Sequence, residues 1–178
     1  MTAIERFQVI QARPLTTAEA LAFFDELAPV NLDFMLGKWK GTGLDTSHPM
    51  DGWLEIAGWY GKEFIDRDCV HPLLFLDRSD RIIKIYPVLF GLELALNFPR
   101  LKNEALTPIF KSIIFPFKTK ESQARMRMLE HRGEITATMI YDRLPINDVF
   151  RKIDDNTVLG LMDFKKMPQP FFFVLRRD

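Results

Sequence analysis

From residue 121 to the end, short runs of alternating polar and apolar residues are separated by turn chemistry, and this limits the fold more than any other feature. Ala124, Met126 and Met128 alternate with Gln123, Arg125 and Arg127. Arg132-Gly133 is a tight-hairpin signal leading into 134–141, and Leu144-Pro145 interrupts before 147–153 resumes. Asp154-Asp155-Asn156 turns the chain into 157–163, and Pro168 and Pro170 bracket a last turn before 171–177. Neighbouring antiparallel strands of this kind leave two open edges, and closing into a barrel hides both. The expected fold is therefore mainly β, an antiparallel β-barrel.

The upstream half supplies the parts that finish such a barrel. Thr16 and Thr17 followed by Glu19 form a helix start, and Ala20, Leu21, Phe23, Phe24 and Leu27 fall on one stripe. A helix over 17–28, ended by Pro29, is expected to lie against the barrel as a lid over its mouth or a plug at its floor. Directly after it comes Gly37-Lys38-Trp39-Lys40-Gly41. In a strand the indole of Trp39 points inward and both lysines outward, so the ring closes one end of the barrel. Residues 41–52 read as a loop, with Asp51 capping a short helix through 57. Strand character follows at 58–66, 70–75 and 81–86, with turn residues at Asp77-Arg78-Ser79-Asp80 between the last two. Residues 92–98 have no clear type. Residues 101–114 read as an apolar helix broken near Pro108, a short helical insertion suited to a cavity wall, a lid or a homodimer contact. The stretch 116–120 is the seam between the halves of one domain spanning 1–178.

Composition narrows the function classes. The 24 basic and 24 acidic side chains cancel, leaving no net field to hold a nucleic-acid backbone or an anionic membrane. Cys69 is the one cysteine, so no intramolecular disulfide or cysteine-rich metal site can form. No signal pattern opens the chain and no apolar run is long enough for a transmembrane segment, which leads us to expect a cytoplasmic protein. Phenylalanine is abundant, with 16 copies beside 8 methionines. Such side chains line an oily cavity well, and they equally well fill a core.

Two blocks resemble known families. Gly37-Lys-Trp-Lys-Gly41 through His48-Pro49, with Gly58-Trp59-Tyr60-Gly61-Lys62 and Val70-His71-Pro72-Leu73, is similar to the bacterial GXWXG family over about 30–90. Tyr141-Asp142, Pro145-Ile146, Asp148, Phe150-Arg151, Gly160, Met162-Asp163 and Phe172-Phe173-Val174-Leu175-Arg176-Arg177 resemble the DUF4334 domain over about 118–178. More distantly, the chain resembles the calycin barrels, the lipocalin, fatty-acid-binding and nitrobindin-like proteins. The calycin resemblance implies a barrel closed by Trp39 and covered by a basic residue, either Arg176 or Arg177. The nitrobindin likeness implies haem as an alternative cofactor, although His48, His71 and His131 all precede the last strands; otherwise no cofactor is indicated.

Candidate chemistry falls in two groups. His48, Lys62 and His71 share one block and could act in proton transfer or grip an anionic head group. The structural alternative makes both histidines turn residues before Pro49 and Pro72, with Lys62 solvated. Asp148 and Arg151 are an odd step apart, so they face opposite ways, with Arg151 sharing a face with Val149 and Ile153. A buried guanidinium there needs Asp142 or Asp163 as partner, or a ligand carboxylate or phosphate. No metal-binding pattern is present. The expected function is binding of a hydrophobic or amphipathic small molecule, a lipid or fatty acid with an acidic head, by Trp39, Trp59, Lys62, His71, Asp148 and Arg151. The alternative is an enzyme, a lyase, isomerase or hydrolase, acting on such a molecule.

Overall fold

The computed structural model describes residues 1–87, 105 and 107–178. The 92–98 run and most of 101–106 lie outside them. Two helices open the chain, α1 (Ala3–Ile10) and α2 (Thr17–Glu26), each with a reciprocal capping box, Thr2 with Glu5 and Thr16 with Glu19. The second was expected two residues longer. Instead the backbone extends at Leu27, and β1 (Ala28–Pro29) pairs with a barrel strand. A single turn, α3 (Leu32–Met35), leads to β2 (Gly37–Gly43).

The strands β3 (Trp59–Phe64), β4 (Val70–Leu76) and β5 (Ile82–Lys84) complete the first half, with the short helix α4 (Trp53–Ile56) before them. That helix starts at Gly52, with φ of 78°, a conformation open to glycine, and not at Asp51. The Asp51 carboxylate instead accepts from the N–H groups of Thr46 and His48 at 2.9 and 2.7 Å and ties the loop together. The insertion contains α5 (Thr107–Ile114) and a 3₁₀ turn over Phe115–Phe117. Pro108 does not break α5, because it occupies the first turn, where a missing N–H costs nothing. The meander follows as β6 (Ala124–His131), β7 (Glu134–Tyr141), β8 (Ile146–Asp154), β9 (Thr157–Phe164) and β10 (Phe171–Arg177).

Eight of these strands close on themselves in the order β8-β7-β6-β4-β3-β2-β10-β9, with β9 returning to β8, all antiparallel. The seam between β4 and β6 is narrow, with Val70 opposite Ala124 as its one strand pair among the described residues. Further along, β4 turns its edge to β5, and Ile85 bridges to Lys118.

Both faces of the β8–β9–β10 wall are buried. Inward go Phe150, Val158, Met162, Phe171, Phe173 and Leu175, and outward go Val149, Ile153, Leu159, Leu161, Phe172 and Val174. The outward set packs on Phe7, Phe23 and Phe24, so α1 and α2 lie on the flank of the barrel and neither cover its mouth nor plug its floor. Their docking is fixed at the rim by a two-bond pair from Arg132 to Asp25, 2.6 Å each.

Candidate functional site

The glycine-flanked tryptophan closes one end of the barrel. Trp39 is fully buried, and its Nε1 donates to the Met35 carbonyl at 2.7 Å. Arg177, its cross-strand partner on β10, lies over the indole at 4.2 Å and donates to the carbonyls of Leu36 and Phe34 at 3.0 and 2.8 Å. Arg176 points to the other face, over Phe7, so Arg177 is the covering residue. The glycines make room. A side chain at Gly41 would overlap the Trp59 ring, and one at Gly61 would meet the Trp39 carbonyl. Gly160 does the same for Phe173.

Away from Trp39 the interior opens into a cavity of about 190 Å³. Its walls are mostly aromatic, with Trp53, Trp59, Phe75, Phe110, Phe171 and Phe173 prominent. The α5 region and Tyr86 form the side adjoining the narrow seam. Among the described residues, charge enters this apolar space at one place. Lys62 and Asp148, 3% and 1% exposed, form an ion pair of 2.8 Å.

Strict alternation would set Trp59 and Lys62, three residues apart, on opposite faces. Irregular pairing of β3 with β4 around Gly61 resets the parity, and both line the cavity. Asp148 faces inward from β8 between Met139 and Met162. The ammonium also donates to the Pro72 carbonyl at 3.2 Å and is surrounded by the rings of Phe173, Trp59 and Tyr141 at 5.0 to 5.7 Å. Asp148 Oδ2 is thus occupied, whereas Oδ1 is buried with no hydrogen-bond partner among the described residues. Burial raises the Asp148 pKa above the usual carboxylate range, against the pull of Lys62. Tyr141 is raised well above 10 by burial and by the neighbouring Asp148 charge.

The GXWXG protein model matches residues 22–80 and the domain of unknown function DUF4334 matches 122–177. A crystal structure of a protein from Thermomonospora curvata is similar at 34% identity and a TM-score of 0.74, over 100% of this chain and 99% of that one. The chain belongs to the GXWXG/DUF4334 family. None of the curated proteins compared matches it. In this family member the two motif blocks meet at the cavity, since Lys62 comes from the GXWXG block and Asp148 from the DUF4334 block.

The expected site residues separate on this geometry. Trp59, Lys62 and Asp148 line the cavity, while Trp39 lies behind it as the seal. Lys62 is not solvated, and its charge is already neutralised. His48 is buried in the 44–52 loop, its Nδ1 accepting from Met50 N–H at 3.0 Å and its ring against Phe171. His71 stands opposite Glu63 on β4, its pKa lowered mainly by burial. Neither histidine lines the cavity, so the expected trio is not assembled.

Arg151, expected to hold a ligand's acidic end, is fully buried on the outer face of β8. Its guanidinium lies over Phe24, with long bonds to the carbonyls of Leu27 and His131 at 3.5 and 3.3 Å, and neither Asp142 nor Asp163 pairs with it. Tyr141 was not anticipated; its even spacing from Ala137 and Met139, both inward, was the available signal.

No cluster of metal-ligating side chains occurs among the described residues. Haem does not fit the cavity, which has no histidine in its lining and is too small for a tetrapyrrole. Among the described residues no helix is long and apolar enough to cross a membrane.

Proposed function

We propose that the barrel binds a compact hydrophobic or amphipathic small molecule in the cavity over Lys62 and Asp148. The observation that carries this reading is a buried charge pair set in an otherwise apolar, aromatic-walled space. A core filled for stability alone gains nothing from such a pair, because apolar residues of the same volume are as good or better. The volume sets the scale. A cavity of roughly 150 Å³ takes benzene, so about 190 Å³ suits a single ring with a short substituent and cannot enclose a whole long acyl chain.

Native mass spectrometry of the protein as isolated tests the reading. A retained small molecule, lost from Trp59→Ala, supports it; a protein that retains none and shows no thermal shift with any compact apolar compound refutes it. Saturation at 100 times Kd should stabilise by about 2.7 kcal/mol, which a melt detects readily. Catalysis on such a guest is a second reading, favoured by the raised pKa of Asp148, whose Oδ1 has no hydrogen-bond partner among the described residues. A substrate–product mixture in the retained ligand would favour it.

A further inference from the structure

Resting on the cavity reading, we infer that the guest is uncharged and carries a hydroxyl that donates to Asp148 Oδ1. Three features of the charge pair lead there. First, the charge of Lys62 is already matched by Asp148, so an anion would find no unpaired cation there. Two of the three ammonium N–H groups go to Asp148 Oδ2 and the Pro72 carbonyl, and the rings of Trp59, Tyr141 and Phe173 lie around the ammonium. Second, an acid or phosphate beside it would place a second negative charge near Asp148 in a poorly screened space. Third, Asp148 Oδ1 is a buried acceptor without a donor among the described residues. Such an atom keeps the full cost of its lost hydration until a donor arrives, and a hydroxyl is the smallest uncharged group that supplies one.

The walls restrict the remainder of the molecule. Trp59, Tyr141, Phe171 and Phe173 suit a flat or ring-shaped apolar body, and the volume allows one ring. The indole N–H groups of Trp53 and Trp59, two residues of the same lining, also lack acceptors among the described residues.

Three near-isosteric probes separate the possibilities: 4-isopropylphenol, its methyl ether and 4-isopropylbenzoate, titrated at neutral pH by tryptophan fluorescence and calorimetry. The phenol should bind at least about tenfold tighter than the ether, the scale of a hydrogen bond to a charged acceptor, and the benzoate weaker than both. In Lys62→Met/Asp148→Leu, which removes both charges together, phenol and ether should bind alike. Benzoate equal to or tighter than the phenol, ether equal to the phenol, or a phenol preference surviving in the double variant each overturns the hydroxyl assignment while leaving the cavity reading standing. Failure of all three probes to bind the unaltered protein overturns both.

Discussion

Removing one member of the Lys62–Asp148 pair should damage the protein far more than removing both. Each side chain is almost wholly buried, and each is the other's one counter-charge in the cavity among the described residues. Lys62→Met leaves a carboxylate among aromatic rings, and Asp148→Leu leaves an ammonium with only the Pro72 carbonyl as hydrogen-bond partner. Orphaning a buried charge in this way costs about 3–5 kcal/mol. That is a large share of a domain's total stability of about 5–15 kcal/mol. The double variant Lys62→Met/Asp148→Leu has no charge to desolvate and nearly the same volume, so it should lie within about 1 kcal/mol of the parent or above it. The coupling between the sites is therefore several kcal/mol, well beyond what neighbouring apolar residues show. Urea unfolding followed by tryptophan fluorescence reads it directly, with equal m-values confirming that the denatured states compare. If the double variant loses the sum of the two single losses, the pair is a net source of stability. The case for its having been kept for binding would then collapse.

Other parts of the barrel give equally definite expectations. Gly41→Ala forces the Trp59 ring into the cavity, so it should cost about 1–3 kcal/mol of stability and abolish probe binding; unchanged binding would show that Trp59 has room elsewhere. Arg177→Ala removes the cover over Trp39 and two carbonyl contacts, for a loss of about 1–3 kcal/mol in urea melts, whereas Arg176→Ala should cost less than half as much. Burial raises Asp51 from its ordinary value of 3.8 to about 6. The folded state therefore holds that proton more tightly than the unfolded chain, and this group's contribution to stability falls as pH rises from about 4 to 6. Asp51→Asn keeps an acceptor for Thr46 and His48, and its melting profile should lack that fall; a profile parallel to the parent's contradicts the assignment.

The closed barrel was legible because period-two alternation reports a half-buried strand directly, and 124–141 shows it over two strands. Trp39 was legible for a related reason, since glycines two residues either side mark a backbone that something approaches closely. What alternation cannot say is which face is the inside when both are covered. The parity of Asp148 and Arg151 was right, yet Arg151 went to the helix-covered face because Phe23 and Phe24 bury that side as thoroughly as the barrel buries the other. Lys62 was named as a candidate, but that it shares a face with Trp59 depends on the irregular pairing at Gly61, which no count of residues along β3 reveals. The helix α1 was missed although Thr2, Glu5 and Phe7 carry its start signal and its buried anchor. Little more than two turns of amphipathic pattern is too short to stand out without the partner surface it docks on.

The slender junction between β4 and β6 sets how a guest can reach an interior sealed at the other end by an indole. Seven of the eight neighbouring strand contacts are zipped by ladders of three or more rungs, and these resist parting until the whole barrel melts. At the eighth, among the described residues, one rung is joined by the Gln123–Val70 and Met126–Arg67 backbone bonds and the Arg127–Asp68 ion pair. Among the described residues that flank has the shortest strand ladder to part, which makes it the side on which the proposed guest has the fewest rungs to cross.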